Sequence, residues 1–178
     1  MPRIVLAAAP LRDGPTALRP WRDSDLAALV EACQDPEIPR WTRVPSPYGP
    51  ADARLYLQQR HDGLHAGTTA PYAVTDPAAD RLLGSISLMR FLWEHGRAEA
   101  GYWLAREARG AGHAVRALRL ICRWRFETLG LQRIELLAAP RHGGLRPTGA
   151  RDLVSGASKS AGSKPPCSPM RSASHRRS

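Results

Sequence analysis

Long apolar runs are missing from this chain of 178 residues, so no segment reaches the roughly 20 apolar residues that span a bilayer as a helix. Residues 4–9 form a short apolar run behind Met-Pro-Arg, below the about 7–15 residues of a secretory signal. The expectation is a cytoplasmic protein with no membrane partner. Cysteine is scarce too. Cys33, Cys122 and Cys167 are odd in number and far apart, which supplies neither a disulfide framework nor a zinc site. Acids are outnumbered, 16 Asp and Glu against 26 Lys and Arg, for a net charge of +10. That excess is concentrated: residues 141–178 hold eight basic residues and one acid, a net of +7, leaving +3 for the first 140 residues. A mildly basic body argues against a dedicated nucleic-acid-binding domain. The length suits one domain with a sizeable core, and an apolar fraction of 43% suits a globular one.

What is present reads as an α+β chain. After a lead of residues 1–15, residues 16–21 suggest a short strand ending at Pro20. A helix follows with Asp23 or Ser24 as its cap, and Leu26, Leu29, Val30 and Cys33 on one stripe. Residues 34–50 contain five prolines and are expected to be irregular, placing Trp41 and Tyr48 on a long loop. There they either line a pocket or plug the edge of the core, the plug being the plainer role. Pro50 suits the first turn of a second helix reaching about Arg60. Strand patterns occupy residues 71–75 and 82–92, with Gly84 as a bulge signal.

Residues 98–139 organise the rest: a strand, a glycine-containing turn, an amphipathic helix and another strand. A strand that feeds a glycine turn at a helix N-terminus makes an anion site, because unpaired N–H groups and the positive helix dipole point outward there. Glu99 lies between two alanines on the first strand, a position suited either to a general base or to an edge carboxylate facing water. In the helix, Val115, Leu118, Cys122, Phe126 and Leu129, flanked by Ile121, form the expected buried stripe. Arg116, Arg119 and Arg123 form a basic one, whose first member adjoins the turn and is placed to help hold a phosphate.

Two familiar phosphate motifs do not fit. The glycines are not followed by G-K-S or G-K-T, which excludes a P-loop. A dinucleotide fingerprint starting at Gly110 and Gly112 fails at Val115, and the five residues between Leu104 and Gly110 make the turn too loose. A third motif does fit. R-G-A-G-H-A at 109–114 resembles the Arg/Gln-x-x-Gly-x-Gly/Ala signature of the GNAT acetyltransferase superfamily, with Arg109, Gly112 and Ala114 in the defining places. The strand A-E-A-G-Y-W-L before it and R-I-E-L-L-A after its helix supply the context. L-R-P-W-R-D-S-D-L and D-P-E-I-P-R-W further resemble the RimJ/RimL-like branch, the ribosomal-protein N-terminal acetyltransferases. The resemblance covers about residues 18–140.

The resemblance implies a mixed, largely antiparallel sheet flanked by helices, and an acyltransferase using acetyl-CoA as co-substrate without a metal. By that likeness, Arg109 belongs to the CoA site, the backbone of Gly110, Ala111, Gly112, His113 and Ala114 cradles the CoA pyrophosphate, and the backbone near Trp103, Leu104 and Ala105 binds the pantetheine. Glu99 matches a strand position from which relatives supply a general base, and Trp41 falls on the acceptor side. The acceptor is an amine, on a protein N-terminus or a small molecule.

After Pro140 the likeness stops. Residues 141–178 contain no aromatic, asparagine or isoleucine, and are rich in Ser, Gly, Ala and Pro. Such a segment buries too little apolar area to offset its ordering entropy, so disorder is expected. The domain, taken as 16–140, is then incomplete, without its last helix and strands and with a bare edge beyond Ile134 and Leu136. Two origins for the tail stand: out-of-frame translation, or a genuine basic tail binding RNA non-specifically. Three functions follow in order: an N-acetyltransferase that is inactive if the lost C-terminus removed its acid, a non-catalytic CoA- or nucleotide-binding remnant, and an RNA-binding protein acting through its tail.

Overall fold

The computed structural model describes residues 3–42, 44–136 and 154–155. Tight turns decide its topology. Gly14-Pro15 joins β1 (Leu11–Asp13) to β2 (Thr16–Arg19), with Gly14 left-handed at φ +55°. After α1 (Leu26–Ala32), α2 (Glu37–Trp41) and α3 (Pro50–His65), a meander forms from β3 (Thr69–Thr75), β4 (Leu82–Leu92) and β5 (Arg97–Leu104). Helix α4 (His113–Trp124) then crosses over to β6 (Arg133–Leu136), and β7 (Val154–Ser155) follows. The strands lie in chain order in one sheet, every pair antiparallel except β5 with β6. This is the mixed, largely antiparallel α+β sheet expected.

Each face of the sheet buries its own core. On one, Tyr72, Ile86, Leu88, Ala100 and Leu104 pack with Ala117, Leu120, Ile121 and Trp124 of α4. Tyr72 meets Trp124 edge-on at 5.3 Å, and its hydroxyl accepts the Ala7 N–H at 3.0 Å. On the other, Trp21, Leu29, Cys33, Ile38, Tyr48, Leu57 and Trp103 join α1, α2 and α3 to the sheet. Alternation along β5 sends Ala100 to the first core and Trp103 to the second, the period of two that a strand imposes.

Several expectations need correction. β1 lies within the lead of residues 1–15, where no strand was expected. Neither Asp23 nor Ser24 caps α1; a 3-10 turn at Asp23–Asp25 precedes it, and Asp25 Oδ2 accepts the Arg22 N–H at 2.9 Å. The proline-rich stretch contains α2, because Pro36 sits at its N-cap and Pro39 in its first turn, where a missing N–H breaks no helical bond. The second helix extends to His65. The buried residues of α4 are Ala117, Leu120, Ile121, Cys122 and Trp124, so Ile121 and Cys122 are buried as expected, while Val115 is 38% exposed and Leu118, Phe126 and Leu129 are only partly buried. Beyond Trp124 the helix widens into a π turn, Arg125–Leu129, which shifts the phase of everything after it and ends at left-handed Gly130. Arg125 is thereby fully buried, its Nη1 donating to the Leu131 carbonyl at 3.3 Å and its guanidinium 3.4 Å above the Phe126 ring. The edge expected to be bare beyond Ile134 carries β7, with Val154 opposite Ile134 and Ser155 opposite Arg133. The remaining expectations for residues 141–178 lie outside the described residues.

An ionic clamp joins the elements near β2. Arg19 donates to both carboxylate oxygens of Asp25 at 2.8 and 2.7 Å, and its Nε to Asp80 at 2.7 Å. The Arg19–Asp25 pair is buried, whereas the Asp80 side chain is 55% exposed. The hydrogen bond from Arg19 holds the Asp80 carboxyl below its ordinary range. Removing one member of a buried pair strands the other's charge, so Asp25→Asn is expected to cost about 3 kcal/mol in urea unfolding. Asp80→Asn should cost about 1 kcal/mol or less. Gly84 is a second constraint: a Cβ there would stand 2.2 Å from the Trp103 carbonyl oxygen. Gly84→Ala must push β4 and β5 apart, and a loss of about 2 kcal/mol is expected in the same measurement.

Candidate active site

The site grows from the end of β5. The Ala105 N–H donates to the Leu83 carbonyl at 2.9 Å, which keeps β5 attached to β4 to its last residue. A 3-10 turn, Arg106–Ala108, closes with Ala108 N–H on the Ala105 carbonyl. Arg109 then folds back. Its Nε and Nη2 donate to the Leu104 carbonyl at 3.1 and 2.9 Å, and Nη2 reaches Asp35 at 2.7 Å. The signature arginine thus staples the turn to the strand end and to the connection between α1 and α2.

Gly110 and Gly112 are both left-handed, at φ +81° and +78°, a conformation that a Cβ penalises. Arg116 arches over the turn, Nη1 donating to the Ala111 carbonyl at 2.8 Å. The same nitrogen lies 2.8 Å from where a Cβ on Gly112 would sit. The first bond of α4 runs from Arg116 N–H to the Gly112 carbonyl at 3.2 Å. The N–H groups of His113, Ala114 and Val115 come before that bond, so they have no carbonyl within the helix to pair with. They sit at the positive end of the helix dipole. His113 Nδ1 shares a 2.8 Å hydrogen bond with Thr16 Oγ1. Burial, aided by the Arg116 charge, lowers the pKa of His113 and favours its neutral form.

Trp103, Leu104 and Ala105 have buried side chains, so backbone is what they offer a ligand. Parallel pairing of β5 with β6 runs from Arg97↔Arg133 to Ala100↔Leu136. Among the described residues, Gly101–Leu104 has no partner on that side.

Glu99 stands four residues before Trp103, about 13 Å away at a strand rise of about 3.3 Å per residue. Its register partners are Met89 on β4 and Glu135 on β6. The side chain is 24% exposed, and Oε2 accepts from Arg90 Nη1 at 2.7 Å. Glu135 is met by Arg97 and, at 3.4 Å, by Arg133. Glu99 is therefore a partnered carboxylate on the face of β5 opposite Ala98 and Ala100. Arg90 is itself unusual, a non-glycine residue at φ +51°. That backbone conformation costs about 1–2 kcal/mol in a residue with a Cβ. Its side chain is 57% exposed, and an exposed ion pair contributes only about 0–1 kcal/mol.

Trp41 ends α2, and two of its partners are on that helix: Glu37, which accepts its Nε1–H at 3.1 Å, and Arg40, stacked 5.0 Å from the ring centroid. A cavity of about 410 Å³ opens between α1 and the turn after β5, lined by Ala28, Asp35, Arg81, Leu83, Ala105 and Glu107 among others. It contains neither Glu99 nor the two glycines, and shares only Ala105 with the residues singled out from sequence. The structure thus brings Arg109 to Ala114 and Arg116 into one turn, continuous with Trp103 to Ala105. Asp35 and Arg90 were not anticipated. Asp35 meets Arg109 only through tertiary folding, and a regular hairpin register would have pointed to Met89, opposite Glu99. Among the described residues there is no group of three or more His, Cys, Asp or Glu able to hold a metal.

Comparison with known proteins agrees with this geometry. Residues 16–146 match the family model described as acetyltransferase (GNAT) domain. A curated relative, the uncharacterized N-acetyltransferase p20 of Bacillus licheniformis, is 27% identical over 125 residues, 70% of each chain. RimJ of Mycobacterium smegmatis, solved with a CoA disulfide, superposes with a TM-score of 0.63 at 20% identity, covering 76% of this chain and 68% of that one. The spermidine N-acetyltransferase of Vibrio cholerae, solved with CoA and spermine, gives 0.57 at 23% identity, covering 70% and 71%. Likenesses at these identities establish the fold, and the family match covers most of the chain; this protein belongs to the GNAT family of N-acetyltransferases.

Proposed function

We propose that this chain transfers an acetyl group from acetyl-CoA to a primary amine, on a protein N-terminus or a small molecule, in the manner of the RimJ/RimL-like enzymes. The observation that carries the reading is the turn itself. Two left-handed glycines and the first N–H groups of α4, which have no carbonyl partner within the helix, offer the backbone donors and positive dipole end that a pyrophosphate calls for. Gly110, Ala111, Gly112, His113 and Ala114 hold the pyrophosphate, and Arg116 adds positive charge beside it. Arg109 acts from behind, fixing the turn rather than touching the phosphate. The backbone of Trp103 to Ala105, at the end of β5 where the described residues of β6 do not pair, orients the pantetheine, and Trp41 faces the acceptor.

Acetyl-CoA supplies an acyl carbon activated by its thioester and a sulfur able to leave. The amine nitrogen forms the new bond to that carbon as the C–S bond breaks. Glu99 takes the proton the nitrogen loses, through water, and the departing thiolate is protonated in turn. The transfer unit is residues 16–140, and the chain acts in the cytoplasm. Binding without turnover is the alternative reading. It is favoured by one observation: the described residues of the match supply a candidate base but no residue placed to act as acid. No helix among the described residues is long and apolar enough to cross a membrane.

Acetyl-CoA at about 100 times its Kd should stabilise the protein by about 2.7 kcal/mol in a thermal-shift titration. Gly110→Ala tests the cradle. A Cβ at Gly110 meets no atom within 4 Å, so the fold bears only the left-handed penalty of about 1–2 kcal/mol, while the ligand-induced shift should largely vanish. An undiminished shift in this variant would move the phosphate elsewhere. Thiol release with spermidine or a peptide amine then separates turnover from binding. Glu99→Gln should slow release about 100-fold or more, with KM for acetyl-CoA unchanged.

A further inference from the structure

The hairpin between β4 and β5 is irregular at one place. Met89 pairs with Glu99 and Leu92 with Arg97, so Arg90 and Phe91 together oppose Ala98 alone. This is a β-bulge, in which one residue is forced out of extended geometry, and the left-handed place in a bulge ordinarily goes to glycine. Here it is held by Arg90.

Stability does not account for that choice. The side chain is more than half exposed, and the backbone penalty exceeds what its exposed ion pair returns. The packing around it is firm: Phe91 and Trp93 stack at 4.7 Å with their planes 5° apart, pinning the strand just past the bulge. What the bulge accomplishes is aim. It turns the Arg90 guanidinium onto Oε2 of Glu99 at 2.7 Å.

The charges facing Glu99 explain why aim is needed. Glu135 is its register partner on β6, a like charge on the neighbouring strand. Arg97 and Arg133 are both engaged by Glu135. Arg90 is the cation that comes to Glu99 from the other side, across the hairpin. Without it, Glu99 would face a neighbouring carboxylate and be drawn to the cations that serve Glu135.

We infer that Arg90 is a positioning residue, placed in the bulge to fix the Glu99 carboxylate at the acceptor side of β5. The inference rests on the proposed acetyl transfer with Glu99 as base, and deepens it by assigning what orients that base. The contact is a single charge-assisted bond from Nη1 to Oε2, which fixes one carboxylate oxygen.

Arg90→Gly tests this directly, because glycine suits a left-handed bulge. The variant should melt at or above the wild-type temperature, yet its kcat in thiol release, with acetyl-CoA and spermidine or a short peptide amine, should fall about 10- to 100-fold. KM for acetyl-CoA should not move. Arg90→Lys, which keeps a charged donor on a stem of different shape, should recover part of the rate. In a Glu99→Gln background, Arg90→Gly should have no further effect, as expected of two residues acting as one unit. Wild-type kcat in Arg90→Gly overturns the assignment while leaving acetyl transfer intact. So does an equal loss with and without Glu99, or a loss of rate that merely follows a loss of stability. Wild-type rate in Glu99→Gln removes the base and its positioning residue together. No thiol release by the wild-type chain with any primary amine overturns the transfer reading itself, and this inference with it.

Discussion

One guanidinium holds the active end of the molecule together. Arg109 donates twice to the carbonyl that ends β5 and once to Asp35 between α1 and α2. The turn therefore cannot shift without moving both the sheet and the helical layer on its second face. The pair is partly exposed, so its thermodynamic contribution is modest, but its geometric one is large. Two left-handed glycines would otherwise be the most adaptable part of the chain. With Arg109 behind them and Arg116 above, their N–H groups point in a set direction before a ligand arrives, and the ordering cost of binding is correspondingly lower.

Strand β5 is the other organising element, because it belongs to both cores. Ala98, Ala100 and Leu104 pack against the α4 layer, while Trp103 packs against α1 and α3. Small residues on the first face let α4 come close. The near contact of Gly84 with the Trp103 backbone locks β5 to β4 on its other edge. A strand fixed on three sides is a rigid rail, and the chemistry proposed for this protein is arranged along it: carboxylate near the start, then an edge without a partner on the β6 side among the described residues, then the cradle.

Much of this was legible in local sequence. The limits of β4 follow from alternation and turn residues, and the turn's glycines follow from their spacing before an amphipathic helix. The misreadings share a physical cause. Counting five prolines hid α2, because a proline is harmless in a helix's first turn. The burial stripe of α4 was drawn from Val115, but Ala117 and Trp124 suit the sheet better, and the π turn changes the phase beyond Arg125. Asp35 and Arg90 depend on distant register, one on the approach of α1 to the turn and the other on a bulge whose marker glycine is absent. Charge in the tail said little about the body, and what residues 141–178 do lies outside the described residues, save that Val154 and Ser155 pair with β6.

The hydrogen bond between Thr16 and His113 joins residues 97 apart in sequence. Its consequence concerns time. The second strand of the chain is synthesised early, yet the helix it must meet is made only after every strand of the meander. Contacts of such separation carry a heavy loop-closure cost until the intervening sheet exists. The contact between Thr16 and the turn can thus form only once α4 has been made, after every strand of the meander.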